Sequence, residues 1–208
     1  MNKQAGFTLI EMAIVLTIIG LILGAVLLNG TGVIGNTKTT GTITLIKDLS
    51  GAISDFKSRY HYLPGDLPNA GDDIPEVASN YPQCNIAPNG TIGDGLIDTD
   101  PEINCVPVLL VLGGFIKGNI AGIWSPFNSS STPDVFVRSA VTSAVNVAAT
   151  NPFPLTVQNV IEITGLPCDA AKSIDQKIDD GDLTTGNVRA SPSCGVTPTS
   201  TTTLDIAL

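Results

Sequence analysis

Histidine is almost missing from this chain: His61 is the only one in 208 residues. Nucleophilic catalysis needs a base beside the nucleophile. His61 stands between two tyrosines at the expected end of a helix, where packing or surface exposure is the ordinary reading. No G-x-S-x-G elbow, P-loop or H-E-x-x-H occurs. Aspartates are numerous, yet nothing singles out a pair for glycoside chemistry. The expectation is a protein without enzymatic activity. Charge is scarce too, at 14% of residues, and the net charge is −9, from 10 Lys+Arg against 19 Asp+Glu. With no Lys/Arg cluster to displace phosphate counterions, general nucleic-acid binding is not expected. Gly, Thr, Val and Ser are plentiful instead, which favours a β-rich body. The length suits one globular domain with an N-terminal appendage.

There is no C-x-x-C pair, and His61 lies far in sequence from all four cysteines, so a zinc site is poorly supported. Cys84, Cys105, Cys168 and Cys194 fit two disulfides in an oxidising compartment better. Three connectivities are open. Nearest-neighbour pairing, Cys84–Cys105 and Cys168–Cys194, would close two local loops, each contributing ~3 kcal/mol by constraining the unfolded chain.

What is present is concentrated at the N-terminus. A polar leader, residues 1–6, runs into the apolar stretch Phe7–Leu28, which carries one charge, Glu11. As a helix that stretch would rise roughly 33 Å, enough to cross a ~30 Å hydrocarbon core. A carboxylate inside a spanning helix costs ~2.5–3.5 kcal/mol on insertion scales, so it normally has a partner. A secretory signal peptide would have a shorter apolar region and a small-residue cleavage site. For a plain single-pass anchor Glu11 would be a needless cost.

The run Gly6-Phe7-Thr8-Leu9-Ile10-Glu11 resembles the N-terminus of type IV prepilins and of the pseudopilins of type II secretion. The resemblance implies cleavage by a prepilin peptidase between Gly6 and Phe7, methylation of the new terminus at Phe7, and subunit docking through Glu11. It is specific over roughly residues 1–30 and only architectural beyond. The implied role is a structural subunit of a type IV pilus (fimbrium) or similar filament, a homo- or hetero-polymer with other pilin subunits. Its partners would be membrane lipid before assembly and an inner-membrane assembly platform. Localisation would change from a single-pass inner-membrane protein with a periplasmic domain to an extracellular filament. Alternatives are a pseudopilin of a type II secretion system, or a minor tip subunit acting as a ligand- or cation-binding module. Physically, Glu11 would pair with the freed amine of Phe7 on a neighbouring subunit, removing two unpaired charges in low dielectric.

The implied fold is α+β and pilin-like: a leader at 1–6, a long helix at 7–60 with 7–28 in membrane or filament core, and a β-rich body at 61–208. Residues 29–41 are rich in Gly, Asn and Thr, which predicts a soft or melted segment. Ile43, Ile46, Leu49, Ile53 and Phe56 then form an apolar stripe opposite Lys47, Asp48, Asp55 and Lys57. That stripe is suited to lie against an antiparallel sheet. The helix should end near Tyr60, and Leu63–Asp66 reads as a type II turn.

From Tyr62 to Glu102 there is no Lys or Arg. Asp94, Asp98, Asp100 and Glu102 there offer oxygen ligands for calcium, although the EF-hand register fails, with Gly90, Ile92 and Pro101 at ligand positions. A solvated acidic loop is the simpler reading, and no cofactor is expected. Pro101–Leu112 suggests a short buried helix with Asp100 as N-cap, stopped by Gly113 and Gly114. Val135, Val137, Val141, Val145 and Val147, then Leu155–Ile163, suggest strands. Leu166–Gly181 reads as a helix with Gly181 as C-cap. Asp175, Asp179, Asp180 and Asp182 form a second acidic group, read as a polar face and turn or as a cation site. The C-terminal region would be closed by a disulfide.

Overall fold

The computed structural model describes residues 7–143, 146, 152–191, 194 and 200–208, with the side chains of 25–34 left aside. The chain divides into two compact units, residues 1–37 and 38–208. Gly6 and the leader, Val145 and Val147 lie outside the described residues.

Helix α1 runs Leu9–Tyr60 without a break. The soft segment expected at 29–41 is therefore helical. Propensity is a weak prior against the continuity of a packed helix. Near its end the threonines return their hydroxyls to the preceding turn, with Thr42 Oγ1 donating to the Lys38 carbonyl and Thr44 Oγ1 to that of Thr40. The stripe from Ile43 to Phe56 is buried as predicted, and Lys47, Asp48, Asp55 and Lys57 are exposed. The helix stops where expected because His61 adopts a left-handed backbone, φ 66°, while its N–H still bonds Lys57. The lone histidine thus has a backbone role.

The turn at Leu63–Asp66 forms, closed by Asp66 N–H to the Leu63 carbonyl, with Gly65 at φ 100°. Only glycine fits there, since a Cβ would sit 2.5 Å from the Glu102 carbonyl oxygen. Two short helices follow, α2 at Ala70–Asp73 and α3 at Pro75–Asn80. Then comes α4 at Asp100–Leu112, largely buried. It begins one residue earlier than expected: Thr99, not Asp100, is the N-cap. The reason is Glu102, whose carboxylate reaches back to the Thr99 N–H.

The sheet has four antiparallel strands in the order β1-β2-β4-β3, with β1 at Val135–Ser139, β2 at Asn159–Pro167, β3 at Val188–Ala190 and β4 at Thr201–Ala207. Val135 and Val137 lie in β1, whereas Val141 falls in a 3-10 turn. β2 starts and ends four residues later than the sequence pattern suggested, so Leu166 and Pro167 belong to the sheet. Consequently α5, Cys168–Ile178, is shorter at both ends than the predicted helix, and Gly181 lies beyond its C-cap position, Asp179. The inward residues Ile161, Ile163, Leu204 and Ile206 share one core with the α1 stripe, with Val106, Leu109 and Leu110 of α4, and with Ile174 of α5. The α+β class with an antiparallel sheet is as expected.

Both disulfides follow nearest-neighbour pairing. Cys84–Cys105 ties the acidic loop to α4, and Cys168–Cys194 ties the start of α5 to the segment after β3; the Cα–Cα distances are 5.5 and 5.4 Å.

Candidate assembly site and acidic clusters

The first turn of α1 is a reciprocal capping box, the Thr-x-x-Glu device in which each residue satisfies the other's backbone. Glu11 Oε2 accepts from Thr8 N–H and from Thr8 Oγ1, both at 2.8 Å, and the Glu11 N–H donates to Thr8 Oγ1 at 3.3 Å. These bonds satisfy donors that a helix N-terminus otherwise leaves unpaired. Among the described residues Glu11 Oε1 takes no hydrogen bond, which leaves it open to a second donor. Charge and hydropathy do not mark Thr8 as functional; its spacing from Glu11 does.

Around this box the surface is apolar on every side. Phe7 is 79% exposed, Leu9 90%, Ile10 69% and Leu16 68%, and exposure of large aliphatic side chains continues through Leu23. Isolated apolar side chains on a surface are ordinary, but a contiguous sleeve of them needs a cover. No helix among the described residues is long and apolar enough to cross a membrane. The span expected at Phe7–Leu28 includes residues 25–28, whose side chains lie outside the description.

The acidic loop is organised by protein groups. Asp66, wholly buried, accepts from the Gly93 N–H through Oδ1 and from the Gly95 N–H through Oδ2. Asn159 in β2 accepts from the Ile97 N–H at 3.0 Å and donates to the Gly95 carbonyl at 2.9 Å. Asp94 turns onto its own loop, accepting from the Leu96 N–H. Glu102 accepts from the N–H groups of Asp98 and Thr99 and from Thr99 Oγ1, at 2.8 to 3.0 Å. Burial pushes the carboxyls of Asp66 and Glu102 above the usual carboxylate range, against hydrogen bonds that favour the charged form. The four carboxylates Asp94, Asp98, Asp100 and Glu102 do not converge. Among the described residues only Asp175, Asp179 and Asp180 bring carboxylate oxygens within 4.8 Å of one another.

The family described as "Prokaryotic N-terminal methylation motif" matches residues 1–27, the stretch that contains Gly6, Phe7, Thr8 and Glu11. The chain thus carries the hallmark of type IV pilin and pseudopilin precursors. Comparison with curated proteins and with solved structures gave no match.

Proposed function

We propose that this protein is the structural subunit of a type IV pilus or pilus-like filament, matured by prepilin peptidase and assembled through α1. The supporting observation is the exposed apolar sleeve from Phe7 to Leu23, headed by a carboxylate with one oxygen left open among the described residues. Such a surface has two natural covers, the lipid of the inner membrane before assembly and the α1 helices of sister subunits afterwards. Between helices in an apolar medium, packing and the few polar contacts carry association, because lipid is as apolar as Leu. Cleavage after Gly6 would place a new amine on Phe7. The open Oε1 of Glu11 on a staggered neighbour would receive it, while Oε2 keeps its own helix capped. The partner classes are other pilin subunits, the peptidase and the inner-membrane assembly platform, and the role is structural.

Mass spectrometry of material sheared from cells of the native host tests this reading. The expected result is abundant protein beginning at methylated Phe7. A protein that still begins at Met1 overturns it. Abundance in sheared filaments, against dependence of protein export on the gene, separates a pilus subunit from a type II secretion pseudopilin.

A further inference from the structure

We propose that the turn joining α5 to β3 binds a calcium ion through the carboxylates of Asp175, Asp179 and Asp180. The proposal uses no residue of α1 and does not rest on the assembly reading.

A group of acidic side chains at a helix end is usually no more than a solvated surface. Here one member is different. Asp175 is 0% exposed, and neither of its carboxylate oxygens has a hydrogen-bond partner. One of its carboxylate oxygens lies within 4.8 Å of one oxygen each from Asp179 and Asp180. Burying an ionised carboxylate without a partner is among the costliest arrangements a fold can hold. The charges that act on it are those of Asp180, Asp179 and Asp182, all of its own sign, and no ion pair reaches it among the described residues, although Arg189 acts on Asp180. A small cation entering the turn would supply the charge that balances Asp175.

The other two carboxylates are already held in position. Asp179 Oδ2 accepts from the backbone N–H groups of Asn187, at 2.5 Å, and Val188, at 2.9 Å. Asp180 accepts from the Asp182 N–H at 2.9 Å and from Thr185 Oγ1 at 2.7 Å. Gly186 leaves room for this cradle: at φ 69°, a Cβ there would lie 2.0 Å from Asp179 Oδ2. The oxygens are therefore placed before any ligand arrives, which lowers the ordering cost of binding.

An all-oxygen carboxylate set selects a hard cation. Calcium accepts irregular oxygen geometries, with ligands at ~2.3–2.6 Å, whereas magnesium draws its ligands to ~2.1 Å and demands a near-ideal octahedron. An irregular set of three carboxylates suits calcium, with water completing its ~6–8 ligands. Bound there, calcium would fasten the end of α5 to β3, as Cys168–Cys194 fastens its start.

The test uses the full chain purified in detergent and stripped with chelator, titrated with calcium chloride and separately with magnesium chloride. Calorimetry should show one calcium per chain, with magnesium at least tenfold weaker, and calcium should raise the melting temperature. Asp175→Asn should weaken calcium binding more than tenfold. Asp180→Asn, at an exposed position, should do the same if Asp175→Asn proves hard to fold. Asp94→Asn should bind as wild type does. In chelator, Asp175→Asn should melt no lower than wild type, because it removes an uncompensated charge. Absence of both heat and melting shift at ~5 mM calcium overturns the site. So does calcium binding that survives Asp175→Asn and Asp180→Asn, or a loss that follows Asp94→Asn equally.

Discussion

The chain uses Thr-x-x-Glu twice, and the two copies end in opposite surroundings. At the start of α1, Thr8 N–H donates to Glu11 Oε2 at 2.8 Å on an exposed surface. At the start of α4, Thr99 N–H donates to Glu102 Oε2 at the same 2.8 Å, but Glu102 is 0% exposed. The local bonds match because four residues at helical spacing suffice to make them. What each carboxylate costs, and what it remains available for, depends on what surrounds it. Around Glu102 the same chain supplies a third donor, Asp98 N–H, and closes over the group. Around Glu11 the described residues supply Thr8 and, beyond it, apolar side chains facing outward. On the assembly reading a cover for the Glu11 box comes from another molecule, and that asymmetry is its physical content.

The sharpest way to break the comparison is Glu11→Gln. Glutamine serves a capping box as well as glutamate does, so α1 should begin normally while the charge is lost. If the charge pairs with a neighbour's amine, leaving that amine buried alone costs ~3–5 kcal/mol, and incorporation into filaments should fall by roughly a hundredfold to a few thousandfold. Membrane insertion should persist. Wild-type incorporation, measured in sheared filaments, would confine Glu11 to its helix-capping role.

Glu102→Ala should act on folding instead. It strands the N–H groups of Asp98 and Thr99 in the interior and leaves a cavity, for a loss of about 2–4 kcal/mol in denaturant unfolding. An effect below about 1 kcal/mol would mean that water replaces the carboxylate easily.

The conservative change at the same position, Glu102→Gln, should depend on pH. Burial raises the folded carboxyl above its ordinary value of 4.5. The folded state therefore holds that proton more tightly than the unfolded chain does. Its stabilising contribution is full below about pH 4 and is lost as pH rises through the folded value. Glutamine has no such loss, so the variant should gain on wild type as pH rises from about 4 to 7. A stability difference that stays flat across that range would show that the three hydrogen bonds fully offset burial.

The smallest effects belong to the threonines. Thr99→Ala should cost about 1 kcal/mol of body stability. Thr8→Ala, in the other compact unit, should leave body unfolding unchanged. Equal effects of the two in thermal unfolding would show that the two units unfold together.

Much of this architecture was legible in the residues themselves. The motif around Glu11, the stripe from Ile43 to Phe56, the turn at Leu63–Asp66 and the stop at Tyr60 all depend on neighbours within a few positions. The Thr8–Glu11 box was equally readable from its spacing, though charge and hydropathy pass over the threonine. Other features depend on residues brought together from far apart. Asp66 reads as one more acid in an acidic run until Gly93 and Gly95 come to it. β2 runs on to Pro167 because β4 offers Thr202 and Thr201 as partners there, which overrides the helix signal at Leu166.

Sequence alone determined the methylation motif, the apolar stretch that follows it and the end of α1, since those properties are carried by contiguous residues. Tertiary structure decided which of the 19 acids are enclosed and which remain in solvent. Only packing between distant segments removes water from a carboxylate. For Asp66, and for one oxygen of Glu102, that packing supplies hydrogen bonds in return, and among the described residues it supplies none for Asp175.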